Sequence, residues 1–426
     1  MRKILMATAA SLVALAGAAN AQPAKQVAAP GTIVVHLNGY LQFSVNAYGN
    51  SGFNDGTNYN MSTGSYKLSP VGEIGDVRLY PGFDAQTENG IWYGAQVELR
   101  TTTSNAGKGV NGNAANGAGA GNIYVRRAYG YIGTPDYGFV RFGQTDSAFD
   151  LLQRGVIESF GDGAQWAADG GTANVFVGGG PATFIYADQG ALYTTNKIVL
   201  ISPAVEEPVL GGKVSAIVGY EPNSNGLKEG YATTAGTLGA NDASIAGGSN
   251  VRRRNTVDAM VDYDVKLNGF ATKASAGYLY GSPLGNLTGP QAYTPLGVFQ
   301  AGLQTTYMGV TVGANVKAGH VEDGYAFAPK GGRAALGYSL GVAYELGPIS
   351  LGTSFFDEQS SGAWTPGSTY ARTLTQYGIA AGANYQLAKP IALFVQGMYY
   401  HKHQPTTTTK GNAQGELISL GTTIKW

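Results

Sequence analysis

The chain has 426 residues, with 27 basic and 27 acidic side chains, 65 glycines, 27 tyrosines and no cysteine. A small secreted domain would lean on disulfides, which are excluded here, and the balanced charge gives no reason to expect a nucleic-acid partner. Charged residues are only 13% of the whole, yet beyond the N-terminal segment no apolar run reaches the roughly 18 residues of a transmembrane helix. A secreted β-sandwich, a β-helix and a membrane barrel remain, and the order of the residues has to separate them.

Arg2 and Lys3 precede a stretch of apolar or small residues, Ile4 to Ala19, which ends in the A-x-A cleavage site Ala19-Asn20-Ala21. Residues 1–21 therefore read as a signal peptide, too short for a membrane anchor and followed by no stop-transfer pattern. Its loss takes away Arg2 and Lys3, leaving 25 basic against 27 acidic residues and a formal charge of −2. A short segment, 22–31, leads into the alternating sequence.

From Val35, every second residue (Val35, Leu37, Gly39, Leu41, Phe43, Val45, Ala47) is apolar or glycine, and the interleaved His36, Asn38, Tyr40, Gln42, Ser44 and Asn46 are polar. Period two with one oily and one wet face is a β-strand. Continued along the chain, the pattern predicts sixteen strands near 32–47, 77–87, 91–101, 122–132, 137–145, 192–202, 212–221, 255–266, 269–281, 298–307, 310–319, 333–345, 349–356, 371–387, 391–401 and 416–426. Most are about 10 residues long, the length of a tilted bilayer-crossing strand.

The connections alternate strictly between short and long. Seven are short: 88–90, 133–136, 202–211, 267–268, 308–309, 346–348 and 388–390. The longer ones, such as 102–121 and 222–254, are rich in Gly, Asn, Ser and Thr. Short periplasmic turns and long external loops are the topology of an outer-membrane barrel. In a sandwich the oily faces would pack on each other, whereas in a barrel of this size they meet lipid and the wet faces line a lumen. Small apolar-face residues fill a two-sheet core poorly. Tyr48, Tyr278, Tyr280, Tyr307, Tyr344, Tyr385 and Tyr399 stand near strand ends, where an interfacial girdle belongs. The expected fold is all-β, a transmembrane antiparallel barrel over 32–426. In the last strand Ile418, Leu420, Thr422, Ile424 and Trp426 share one face, and a terminal outward aromatic resembles the signal read by the barrel assembly machinery.

The stretches DVRLYPGFDAQTENGIWYGAQVELR (76–100), VRRAYGYIGTPDYGFVRFGQTDS (125–147) and YTTNKIVLISPAV (193–205) resemble strands two to six of the Gram-negative general porins. The resemblance covers the whole mature chain. It implies a homotrimer of sixteen-stranded barrels in the outer membrane, among lipid and lipopolysaccharide, passing small hydrophilic solutes and ions by passive diffusion. It also implies a third loop folded into the pore, here 146–189, and no cofactor or metal. That loop's acids are Asp146, Asp150, Glu158, Asp162, Asp169 and Asp188, against one base, Arg154; Ser159-Phe160-Gly161-Asp162-Gly163 partly matches the acidic loop tip of enterobacterial members.

Alternation turns Arg78, Arg100 and Arg141 into the lumen as a basic wall. Arg126 and Arg127 must point to opposite sides. The family pattern chooses Arg126 for the pore, and Arg127 then falls on the outer wall. Glu158, Asp162 and Asp169 form the facing acidic side, setting a transverse field with the arginines or tethering the loop through local salt bridges. The overall charge and the acidic loop lean the expected selectivity towards cations.

Three signals point elsewhere and are weighed against plainer readings. Gly107 to Gly112 fits G-x-G-x-x-G without a strand-to-helix context. Arg252-Arg253-Arg254 reads as a solvated loop base or a lipopolysaccharide contact. His401 and His403 share a strand face without a third metal ligand. Competing functions on the same barrel are a solute-specific channel for a sugar or anion, and an outer-membrane enzyme. The four histidines, His36, His320, His401 and His403, stand in no catalytic motif.

Overall fold

The computed structural model describes residues 28–51, 70–102, 123–166, 183–186, 195–223, 251–285 and 293–426. Residues 1–27, with the expected signal peptide, Asp169, Asp188, the 107–112 glycine motif and most of the 222–254 loop lie outside them. The described strands, in chain order, are β1 (Thr32–Ser51), β2 (Val71–Gln86), β3 (Trp92–Thr102), β4 (Ile123–Thr134), β5 (Gly138–Thr145), β6 (Thr195–Ile201), β7 (Val205–Glu206), β8 (Lys213–Asn223), β9 (Val251–Leu267), β10 (Phe270–Gly285), β11 (Leu296–Tyr307), β12 (Val310–His320), β13 (Ala335–Leu346), β14 (Ile349–Ser360), β15 (Leu374–Ala388), β16 (Ile391–His403) and β17 (Asn412–Lys425). A one-turn helix, α1 (Ala148–Leu151), follows β5.

All neighbours pair antiparallel, and β1 closes the sheet by pairing with both β2 and β17. Both β6 and the two-residue β7 pair with β8, so β7 continues β6 and the barrel has sixteen staves. Closure leaves no edge strand, the condition for putting a sheet in hydrocarbon.

The predicted strands are all present, with ends shifted by a few residues and the long ones extended on the external side. Two of the tightest turns are Asn268-Gly269 and Met308-Gly309, where both central residues have positive φ (49°, 85° and 47°, 80°). That geometry is the I′ hairpin, whose twist matches the strands it joins, and glycine takes its second position without strain.

Burial is the reverse of a soluble sheet. On β1, Val35 and Leu37 are 79% and 60% exposed, while Gln42 and Ser44 are 2% and 0% exposed. Ile418, Leu420 and Trp426 of the last strand are exposed as well, and Ile424 is half-exposed. Tyr278, Tyr280, Tyr307 and Tyr385 stand on the outside near strand ends. No helix among the described residues is long and apolar enough to cross a membrane. The apolar exterior can only be satisfied by lipid or another barrel.

Candidate functional site

Strand register assembles the basic wall. Tyr40 pairs with Lys425 on one side and with Arg78 on the other, and Arg78 pairs with Arg100. Lys425, Tyr40, Arg78 and Arg100 therefore form one row across four adjacent staves. Arg78 and Arg100 are 1% and 2% exposed, so each charge needs a counter-charge. Asp76 holds Arg78 at 2.6 Å, and Glu98 holds Arg100 at 2.5 Å. The Arg78 guanidinium also lies 5.0 Å above the Tyr40 ring, with the Lys425 ammonium 5.9 Å from that ring.

Arg126 and Arg127 depart from strict alternation. The β3–β4 register shifts between Glu98, which faces Arg127, and Leu99, which faces Val125, so Arg126 is the extra residue of a β-bulge. Both arginines then reach inward to Glu98 Oε2, at 3.2 and 3.3 Å, and Arg127 Nε meets Asp146 Oδ1 at 2.8 Å. Arg127 is not on the outer wall. The physical reason is the roughly 2–4 kcal/mol cost of a lipid-facing arginine near the midplane, which one bulged residue avoids.

The third loop enters the barrel at Asp146. Ser147 caps α1 by accepting the Asp150 amide, and Asp258 accepts the Phe149 amide at 2.8 Å. Irregular backbone inside a barrel has no ladder to join, so side chains of the wall satisfy it. Arg154 makes a two-pronged pair with Asp262 (2.7 and 3.1 Å), and its carbonyl accepts from Asn315. Gly161 and Asn384 exchange bonds of 2.6 and 2.7 Å, and the Asp162 amide donates to Gln396. On the returning side, Phe184 N donates to Glu358. The loop is thus sewn to β9, β12 and β14–β16.

Apolar side chains deepen that docking. Phe149, Leu152 and Phe184 pack on Val199, Ile217, Met260, Leu279 and Val298, and Ile157, Phe160, Trp166, Ile185 and Tyr186 pack with Phe356, Met398 and Tyr400. Bare glycines make the bed: a Cβ on Gly352 would sit 2.1 Å from the Phe160 ring, and one on Gly341 2.5 Å from Ile157.

The loop acids Glu158 and Asp162 fold onto the loop itself. Glu158 accepts the Trp166 amide at 2.7 Å, and Asp162 accepts from Ala164 N and Gln165 Nε2, each at 3.2 Å. These contacts are hydrogen bonds from amide N–H groups of the loop. Arg253 is no solvated loop base: it is 1% exposed, turned inward and bound to Glu221 through Nε and Nη2 at 3.1 and 2.9 Å. Arg254 faces out. His401 and His403 stack on the outer face beside Tyr377, and no group of three possible metal ligands occurs among the described residues.

A second tier lies along the wall from the arginine row. Asp84, Gly94, Tyr131 and Arg141 are in register across β2–β5. Tyr131 crosses the bare Gly94 to donate to Asp84, and His36 Nε2 lies 3.4 Å from the same carboxylate. Tyr129 donates to Gln96 at 2.7 Å and carries the Arg141 guanidinium 4.3 Å above its ring.

A family model described as Gram-negative porin matches residues 7–404. The chain belongs to that family. It is an outer-membrane porin channel. Among solved structures, the porin is similar to an anion-selective porin from Comamonas acidovorans (TM-score 0.51, 12% identity, covering 93% of this chain and 100% of that one). It is also similar to the trimer form of OmpT, an outer membrane protein of Vibrio cholerae (TM-score 0.50, 11% identity, covering 92% and 99%). At these identities the likeness is one of fold. No curated protein matches the porin. The sequence pointed to Arg78, Arg100, Arg126 and Arg141 in this porin, and all four face the lumen. It missed Lys425, which alternation from Ile424 places inward, and Arg127, whose bulge leaves no trace in the pattern.

Proposed function

We propose that this porin is a water-filled passage for small hydrophilic solutes and ions moving down their gradients. The observation that carries the proposal is the inverted burial of a closed sixteen-stave sheet, oily outside and polar inside. A barrel of this size has room for an aqueous channel. Its narrowest point lies between the third loop, which carries Glu158 and Asp162 and is docked on the wall of β9–β16, and the basic wall of Arg78, Arg100, Arg126 and Arg141. Arg127 and Lys425 add to that wall. The chain is exported by the leader 1–21, with 22–31 preceding the barrel, and Trp426, Ile418, Leu420 and Ile424 present the outward face that assembly reads. Three copies associate through their exposed apolar walls, the state named for the Vibrio cholerae relative. Liposome swelling with sugars of graded size tests the passage: small sugars enter at rates falling with size, and equal exclusion of all of them refutes it.

A further inference from the structure

We propose that Arg141 is an oxyanion docking point, a step below the arginine row where a carboxylate or phosphate on a passing solute pauses. The inference rests on the channel reading. Arg141 is 7% exposed and points to the lumen from β5. Every described arginine of the upper row lies within 3.3 Å of a carboxylate, on Asp76, Glu98 or Asp146. Arg141 has no carboxylate within ion-pair distance among the described residues: its contacts are the Tyr129 face at 4.3 Å and Thr145 Oγ1 at 3.3 Å. The acid of its own tier, Asp84, is turned to Tyr131 and His36.

A buried guanidinium without a counter-charge is costly, and it persists when something else supplies the charge. The surroundings are built to hold it ready. Gly94, in register beside Tyr131, carries no side chain, so the Tyr131 ring lies along the wall, while Tyr129 reaches across to Gln96 opposite it. Each tyrosine hydroxyl is committed to another partner. The ring of Tyr129 supports the guanidinium from one side, and one Nη is held by Thr145. The remaining N–H groups form a fork suited to a planar or tetrahedral oxyanion. Acids that neutralise the upper row there weaken its grip, so Arg141, which no carboxylate among the described residues pairs, is where an anion binds longest.

The test uses the purified full-length porin in planar bilayers, with inorganic phosphate and acetate added to potassium chloride as probes. Wild type shows a chloride current reduced saturably by millimolar phosphate. Arg141→Gln abolishes that saturation and keeps an open-channel conductance, and Arg141→Lys weakens it about tenfold by removing the fork while keeping the charge. Arg254→Gln, on the outer face, leaves the saturation in place. Unaltered phosphate block in Arg141→Gln, or conductance with no block in wild type, overturns the docking point while leaving the channel intact. Absence of any conductance in wild type defeats the channel reading itself. Acetate block without phosphate block narrows the ligand to carboxylates and supports the site.

Discussion

Arg126 shows how much one residue decides. Because the bulge inserts it as the extra member of β4, deleting it restores plain alternation without moving any side chain on either flank. The Arg126 deletion is therefore expected to assemble into a heat-modifiable barrel, as judged by gel mobility, whereas deleting Tyr129, in regular register, inverts the faces of half the strand and abolishes assembly. Equal behaviour of the two deletions would remove the bulge. Charge on the wall acts by simple electrostatics. A unit charge ~10 Å from the axis in water is worth about 0.4 kcal/mol, favouring one ion sign and opposing the other, so Arg100→Ala raises the cation-to-anion permeability ratio by up to about fourfold at low salt. Reversal potentials in a salt gradient read this directly, and an unmoved value for both Arg100→Ala and Arg126→Ala dismisses the field. The inward arginines were legible because their neighbours, such as Val140 and Phe142 around Arg141, are oily. Arg127 was not, since a bulge obeys tertiary cost and leaves the composition of the strand unchanged.

At the scale of elements, strands and turns were readable from period two and loop length, because lipid imposes one-sidedness on each stave. The path of the third loop was not read, yet it left two marks. Ile198-Val199-Leu200-Ile201 is apolar on both faces: Ile198 and Leu200 are exposed, while Val199 is covered by the loop cluster. Lumen-facing glycines such as Gly341 and Gly352 mark where loop side chains press on the wall. Gly352→Val is expected to displace Phe160 and push the loop towards the basic wall, lowering single-channel conductance while leaving gel-monitored folding unchanged. A conductance equal to wild type would mean that the loop does not rest there. Outside the membrane span, the Glu207 carboxylate in the β7–β8 turn is held below its usual range by the amides of Leu210 and Val209. With a depressed folded pKa, this turn contact is present above the ordinary carboxylate range and lost as pH falls through the folded value.

Over the whole molecule, the lipid-facing exterior sets the stability. Val312 faces out from β12 and its neighbour Thr311 faces in, bonded to Thr306. Val312→Arg is expected to cost ~2–4 kcal/mol in guanidinium titrations of the vesicle-folded protein if it lies near the midplane, against a much smaller loss for Thr311→Arg. The overall architecture was accessible from sequence for the same reason, since every oily residue at alternate positions had to face somewhere without water. What could not be read was how the interior is occupied, because polar wall residues bind loop backbone and solute alike.

The most direct test of a hollow, wetted interior is the current through single molecules of the purified protein in a planar bilayer as potassium chloride concentration is raised. Discrete steps whose size grows in proportion to bulk salt conductivity are the predicted result. A folded, membrane-inserted barrel that passes no current at any salt concentration would contradict it.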